Sequence, residues 1–217
     1  MIVLAVETSG VEASLALADE DGLIVERRLT ASGRRHAQAL VADADAVLRE
    51  QGLTPSRIGA VGVSIGPGSF TGLRVGVVFA KTLAWVNGVP LIAVDTLRAI
   101  AHRQPPSADP VQVVVEAQRS ELFVGEYVFQ PELRIWSRTG EIRILRPDQL
   151  TSAFAVTGPG LVRFAALLSG FRLADEALWQ PRASDVARLT LWQLARGETA
   201  VPHALEPLYI RRSYAEE

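Results

Sequence analysis

"SIGPGSFTGLRVG", residues 64–76, is the stretch on which the reading of this chain turns. Gly66, Pro67, Gly68 and Gly72 fall within seven positions, and an apolar run begins directly after them. Glycines this dense serve tight turns or close backbone approach. Three uses compete: a loop that cradles a phosphate, a nucleophile turn, or a hinge that presents a helix to something else.

The chemical motifs fail one by one. A Walker loop needs a glycine followed by lysine, because that lysine reaches the outer phosphates. Counting from Gly66, Thr71 occupies the second glycine position; counting from Gly68, Gly72 comes one residue early and is followed by Leu73 where the lysine should be. A dinucleotide fingerprint fits Gly66 and Gly68 but meets Thr71 at the third glycine, the one that permits close helix–strand packing. A nucleophile elbow around Ser69 meets Pro67 and Thr71 at its glycine positions. Two generic readings stay open. Backbone N–H groups at a helix start can hold an anion, and the glycines can simply form a turn between strand and helix.

Working outward, residues 60–65 read as a short apolar strand and 71–86 as a helix stopped by Asn87-Gly88. On that helix Leu73, Val77, Ala80 and Ala84 share one apolar face, while Thr71, Arg74, Val78, Lys81 and Trp85 share another. Gly72, Gly76, Ala80 and Ala84 form a ladder of small residues. A helix apolar nearly all round is expected to be covered on both sides. One side suits the chain's own sheet; the other calls for a second subunit or for the carboxyl-terminal half.

Three strands are expected at 2–6, 13–19 and 23–29, close enough to pair as antiparallel hairpins. A helix is expected at 35–51, then strands at 91–94, 111–117, 122–129, 134–136 and 141–145. Further helices are expected at 96–102, 162–169 and 184–196. "RQPPSADP", 103–110, reads as a Pro-rich linker between an amino-terminal lobe, 1–102, and a second lobe, 111–217. Each half places three strands first and helices after, a loose parallel in element order.

The 217 residues are 48% hydrophobic and 21% charged, enough for a sizeable core without staples. With no cysteine, disulfides, thiol catalysis and cysteine-ligated zinc are excluded. A formal net charge of −2 argues against unaided nucleic-acid binding, which draws most of its affinity from phosphate neutralisation. The run 2–6 has no basic flank and is no signal peptide; no segment suits a membrane span, and a cytoplasmic location is expected. His36, His102 and His203 have no partner at metal-ligand spacing. Glu7, Thr8 and Ser9 follow the first strand and could hold Mg²⁺ and a phosphate, or form an ordinary polar turn. "VTGPG", 156–160, repeats the strand-to-glycine theme.

The chain resembles the TsaB (YeaZ) family of tRNA threonylcarbamoyladenosine synthesis. "VLAVETSG" at 3–10 and "GPGSFTGLRVG" at 66–76 carry the resemblance. "LAWVNGVPLIAVDTLRAIA" at 83–101, "RSELFVGEY" at 119–127 and the late "PLYIR" extend it along nearly the whole chain. It implies an α/β, two-lobed actin-like and sugar-kinase-like (ASKHA) fold with a reduced carboxyl-terminal lobe. It also implies a non-catalytic scaffold that binds a TsaD-type catalytic subunit, is joined by a TsaE-type ATPase, forms a homodimer when alone, and meets tRNA only through the complex.

The related transferase has metal-binding histidines where this chain reads Val94-Asp95-Thr96-Leu97-Arg98-Ala99-Ile100, so the resemblance implies a lost metal site and argues against a peptidase. Glu116-Ala117-Gln118 and Pro159 depart from the family's usual pattern and weaken a nucleotide grip. A rival reading keeps a nucleotide-dependent phosphotransferase, with Glu7 on the Mg²⁺ side of weakly held ATP or ADP and with Ser9 and Gly158 at phosphates. The partner interface expected from the resemblance comprises Leu40, Ala44 and Val47 on the first helix. On the second it comprises Phe70, Thr71, Arg74, Gly76, Val78, Lys81 and Trp85, with a large residue at Gly76 weakening the complex but not the fold.

Overall fold

The computed structural model describes residues 1–29 and 36–210, with backbone alone for 36–38. Arg35, at the expected helix start, the side chain of His36, and the chain from Arg211 onward lie outside the described residues. The chain divides into two compact units: Met1–Asp95 with Arg182–Pro207, and Thr96–Pro181 with the described chain end from Leu208.

In the first unit, β1 (Ile2–Glu7), β2 (Ser14–Asp19) and β3 (Gly22–Arg28) form an antiparallel meander. Its second turn is short because Asp19 Oδ1 accepts from the backbone N–H groups of Asp21 and Gly22 at 3.0 and 3.2 Å, and Gly22 takes φ 137°. Next come α1 (His36–Glu50), β4 (Ile58–Gly66), α2 (Phe70–Asn87) and β5 (Leu91–Asp95). β4 runs parallel to β1, and β5 parallel to β4, giving the order β3-β2-β1-β4-β5. Parallel neighbours need a crossover, and α1 and α2 lie in the connections between them.

Strand alternation decides which layer each residue meets. Leu4, Val6, Val61 and Val63 point to one face and pack with Leu40, Ala44, Val47 and Leu48 of α1 and with Val77, Ala80 and Ala84 of α2. Residues of opposite parity meet α5 (Ala183–Leu194). There Gly62 leaves no room for a side chain, because a Cβ would collide with the Thr190 hydroxyl. The start of α5 is fastened by the strands beneath it. Ala183 N–H donates to Ser14 Oγ at 2.9 Å, and Ser184 N–H to Glu26 Oε1 at 2.8 Å. These side chains satisfy N–H groups that a helix start leaves unpaired.

The second unit holds α3 (Thr96–Ala101), β6 (Val111–Ala117), β7 (Glu121–Gln130), β8 (Ile135–Arg138), β9 (Arg143–Leu145), β10 (Ala155–Thr157) and α4 (Leu161–Phe164). β6, β7 and β8 form an antiparallel meander and β10 runs parallel to β6, in the order β10-β6-β7-β8; β9 pairs with β7. This is the arrangement of β4-β1-β2-β3, so the loose parallel between the halves is a repeated topology. Tyr127 and Trp136 are the largest side chains of its core.

Four expectations need correction. The stretch 103–110 is not a linker, because Gln104 is buried within the second unit. Its Nε2 donates to Thr157 Oγ1 at 3.0 Å and its carbonyl accepts from Trp136 Nε1 at 3.3 Å. The division falls instead between Asp95 and Thr96, and the helix expected at 184–196 belongs to the first unit. The helix expected at 162–169 closes after Phe164 into a 3-10 turn, Ala165–Leu167. Arg134, expected in a strand, has φ 51° and sits in the turn before β8.

Replacing Gly62 with valine forces α5 off the sheet and is expected to cost about 3 kcal/mol in chemical denaturation. Gly62→Ala combined with Thr190→Ala should cost about 1 kcal/mol less than the sum of the single changes, because both act at one contact.

Candidate functional site

The 64–76 loop is built against the turn after β1. Ser69 caps α2 by accepting from Gly72 N–H at 3.2 Å, and its own N–H donates to the Ser9 carbonyl at 2.7 Å. Three glycines of the loop and first helical turns are required by this contact. A Cβ on Gly68 would collide with the Ser9 backbone, on Gly72 with the Thr8 carbonyl, and on Gly76 with Thr8 Oγ1. Helix backbone and strand-end backbone therefore touch directly. Gly88 closes the other end of α2 in the left-handed conformation, φ 65°.

That contact sets the rotation of α2. Gly72, Leu73, Gly76, Val77, Ala80 and Ala84 are buried. On the opposite side Val78 is 63% exposed, Trp85 77% and Val86 68%, and Phe70, Thr71 and Arg74 are exposed with them. The Arg74 guanidinium lies over the Phe70 ring, 3.9 Å from its centroid, a stack that holds both side chains in place. Val41 adds an exposed apolar side chain on α1.

Of the expected interface residues, the structure thus gathers Phe70, Thr71, Arg74, Val78 and Trp85 on one exposed strip. Leu40, Ala44 and Val47 are corrected: they are at most 5% exposed and belong to the chain's own core. Gly76 is corrected likewise, since it faces Thr8. Lys81 is partly buried and donates to the Leu205 carbonyl at 2.9 Å. Val41 and Val86, not among the expected residues, are exposed apolar side chains too; each follows directly on an expected residue, Leu40 and Trp85, one helical step round.

Glu7 and Ser9 do not fit a Mg²⁺ site. Glu7 is wholly buried, and its Oε1 accepts from both the N–H and the hydroxyl of Ser9 at 2.5 Å. Burial pushes the Glu7 carboxyl above the ordinary 4.5, against the opposing pull of Ser9 and Ser64. The Ser64 hydroxyl lies beside the acid, yet neither it nor Oε2 completes a well-formed hydrogen bond. A metal-holding acid must be ionised and reachable; this one is closed over by its own turn. Gly158 has φ 116°, the same as Gly66, but its missing side chain makes room for the Val114 backbone. Among the described residues no three His, Cys, Asp or Glu side chains cluster at metal-binding distance, and no helix is long and apolar enough to cross a membrane.

Two sheets of repeated topology with glycine turns after β4 and β10 define a protein of the actin-like, sugar-kinase-like (ASKHA) fold. The family model described as "TsaD: tRNA N6-adenosine threonylcarbamoyltransferase" matches residues 30–136. The tRNA threonylcarbamoyladenosine biosynthesis protein TsaB of Escherichia coli is 31% identical over 227 residues, spanning 99% of this chain and 96% of that protein. Two solved structures are similar throughout, both 26% identical. YeaZ from Pseudomonas aeruginosa has a TM-score of 0.81 and covers 96% of this chain and 100% of its own. A Pseudomonas aeruginosa protein described as similar to peptidase YeaZ has a TM-score of 0.84, covering 97% and 99%. The chain belongs to the TsaB family of tRNA threonylcarbamoyladenosine biosynthesis proteins.

Gly76→Leu is expected to cost about 3 kcal/mol of folding stability, because Thr8 cannot move away from a strand end that the sheet fixes. A thermal melt equal to that of the unaltered chain would contradict this. Glu7 gives a second check. With its folded pKa raised, its contribution is full below pH 4.5 and is lost as pH climbs through the folded value. Glu7→Gln removes the titration, so denaturation at pH 5 and pH 8 should show the variant gaining on the unaltered chain at the higher pH.

Proposed function

We propose that this chain is the non-catalytic scaffold of the complex that transfers a threonylcarbamoyl group from its adenylate onto the adenosine beside the tRNA anticodon. It binds and activates a TsaD-type catalytic subunit through the exposed strip of α2. The observation that carries the reading is the pairing of a fixed helix with an apolar outer face. Large aromatic and arginine side chains on a rigid element are what energetic centres of interfaces are made of, and Phe70, Arg74 and Trp85 supply them.

The transferase family's model reaches across α1 and α2. Catalytic subunit and scaffold thus share the elements that build this face, which suits packing one helix pair against its counterpart, as in a two-fold dimer. The same argument lets the chain pair with itself when alone. A TsaE-type ATPase joins the assembly, and tRNA is met through the complex, in keeping with a net charge of −2. The setting is the cytoplasm. The closed Glu7 turn and the filled space at Gly158 favour this reading over a phosphotransferase holding ATP or ADP with Mg²⁺.

Trp85→Ala should weaken binding to the TsaD-type subunit by roughly thirtyfold, the loss typical of an interface anchor, with the circular dichroism spectrum unchanged. In a reconstituted reaction, tRNA modification should collapse when this chain is left out. Full modification in its absence would contradict the scaffold role, and ATP turnover by the isolated chain would favour the phosphotransferase.

A further inference from the structure

Of 22 basic side chains, Lys81 is the single lysine and the remaining 21 are arginine. It is also an α2 side chain that holds another segment of the first unit. Its Nζ donates to the carbonyl of Leu205 at 2.9 Å and reaches that of His203 at 3.5 Å. A compact ammonium with three tetrahedral donors suits two carbonyls converging from one turn; a planar guanidinium fork is shaped for carboxylates and phosphates.

The held segment is ordered at both ends. Ala200 N–H donates to the Leu91 carbonyl at 2.7 Å, extending the sheet beyond β5 by an antiparallel bridge. Ala204 and Leu205 N–H groups both turn back onto the Val201 carbonyl, at 3.1 and 3.0 Å. Ala200 and Leu205 pack on the core of α1, α2 and the sheet, while Val201 is 54% exposed. Lys81 lies three residues after Val78 and four before Trp85, so it sits within the exposed strip of the helix. The strap 200–205 consequently borders that strip.

We propose that Lys81 is a latch that fixes residues 200–205 as the second wall of the α2 docking face, and that the transferase-type subunit covers strap and helix together. The inference rests on the docking reading above. Without the latch, the strap keeps its bridge to Leu91 but loses its hold on α2, and the partner must order it on binding. That ordering cost appears as lost affinity.

The test uses the full chain carrying Lys81→Met or Trp85→Ala, with hydrogen exchange at 200–205 and titration against the purified TsaD-type subunit. Lys81→Met should speed exchange of the Ala204 and Leu205 amides and weaken binding by about tenfold, the scale of a lost charged hydrogen bond. Unchanged exchange would overturn the latch. Faster exchange with binding within twofold of the unaltered chain, while Trp85→Ala still binds weakly, would overturn the second wall and leave the docking reading intact. Unchanged binding in both variants would mean that the docking reading itself had failed.

If Lys81→Met does not fold, acetylation of the folded, unaltered chain replaces it. Only Lys81 and the terminal amine carry the reactive group, and a Lys81→Arg chain treated alongside accounts for the latter. Acetylation should weaken binding of the unaltered chain by about tenfold relative to its untreated self, and leave the Lys81→Arg chain at its own untreated value; no loss in the unaltered chain, or the same fold-loss in both, would overturn the proposal.

Discussion

The direct contact between the backbone of α2 and the turn after β1 is the constraint from which the rest of the first unit follows. Gly72 and Gly76 lie against the Thr8 carbonyl and hydroxyl, and Gly68 against Ser9. With no side chain of the helix between them, the helix cannot roll. Leu73, Val77, Ala80 and Ala84 are then committed to the sheet, and Val78, Trp85 and Val86 are committed to the outside. An apolar outer face is normally a liability on a soluble protein. On a helix held this firmly it is a preorganised surface, which loses little conformational freedom when a partner covers it.

The same contact decides what the glycines of the loop are used for. Where a cradle leaves space for a ligand, the space at Gly68, Gly72 and Gly158 is taken by backbone of the chain itself. Glu7 completes the conversion. One oxygen of its carboxyl, Oε1, is taken by the Ser9 N–H and hydroxyl, and the side chain is wholly buried. A residue type that elsewhere serves metals acts here as a structural clasp, and burial favours its neutral form.

Much of the fold was legible in the sequence because periodicity reports burial. The three opening strands, the strand 111–117 and the helix around Val77 lie where alternation or helical spacing placed them. The separation of the two α2 faces was legible too, since helical spacing sets Leu73, Val77, Ala80 and Ala84 apart from Arg74, Val78 and Trp85. What periodicity does not report is the partner of a buried face. Leu40, Ala44 and Val47 were read as intersubunit because an apolar stripe looks alike whether a sheet of its own chain or a second chain covers it. Gly76 misled for the same reason. A small residue shows that something comes close, and only the three-dimensional structure identifies it as the Thr8 side chain. The Pro-rich stretch 103–110 resembled a linker by composition, while Gln104 within it makes buried hydrogen bonds to residues far along the chain. Likewise, the return of 183–194 to the first unit depends on Ser14 and Glu26, more than 150 residues away in sequence.

Hydroxyl-radical footprinting of the chain, diluted until it no longer pairs with itself, alone and saturated with the TsaD-type subunit, addresses the central idea most directly. The account predicts loss of reactivity at Phe70, Val78, Trp85 and Val86, with Val162 and Leu167 on the second unit unaffected. Protection centred on Val162 and Leu167, with the α2 side chains as reactive as before, would contradict it.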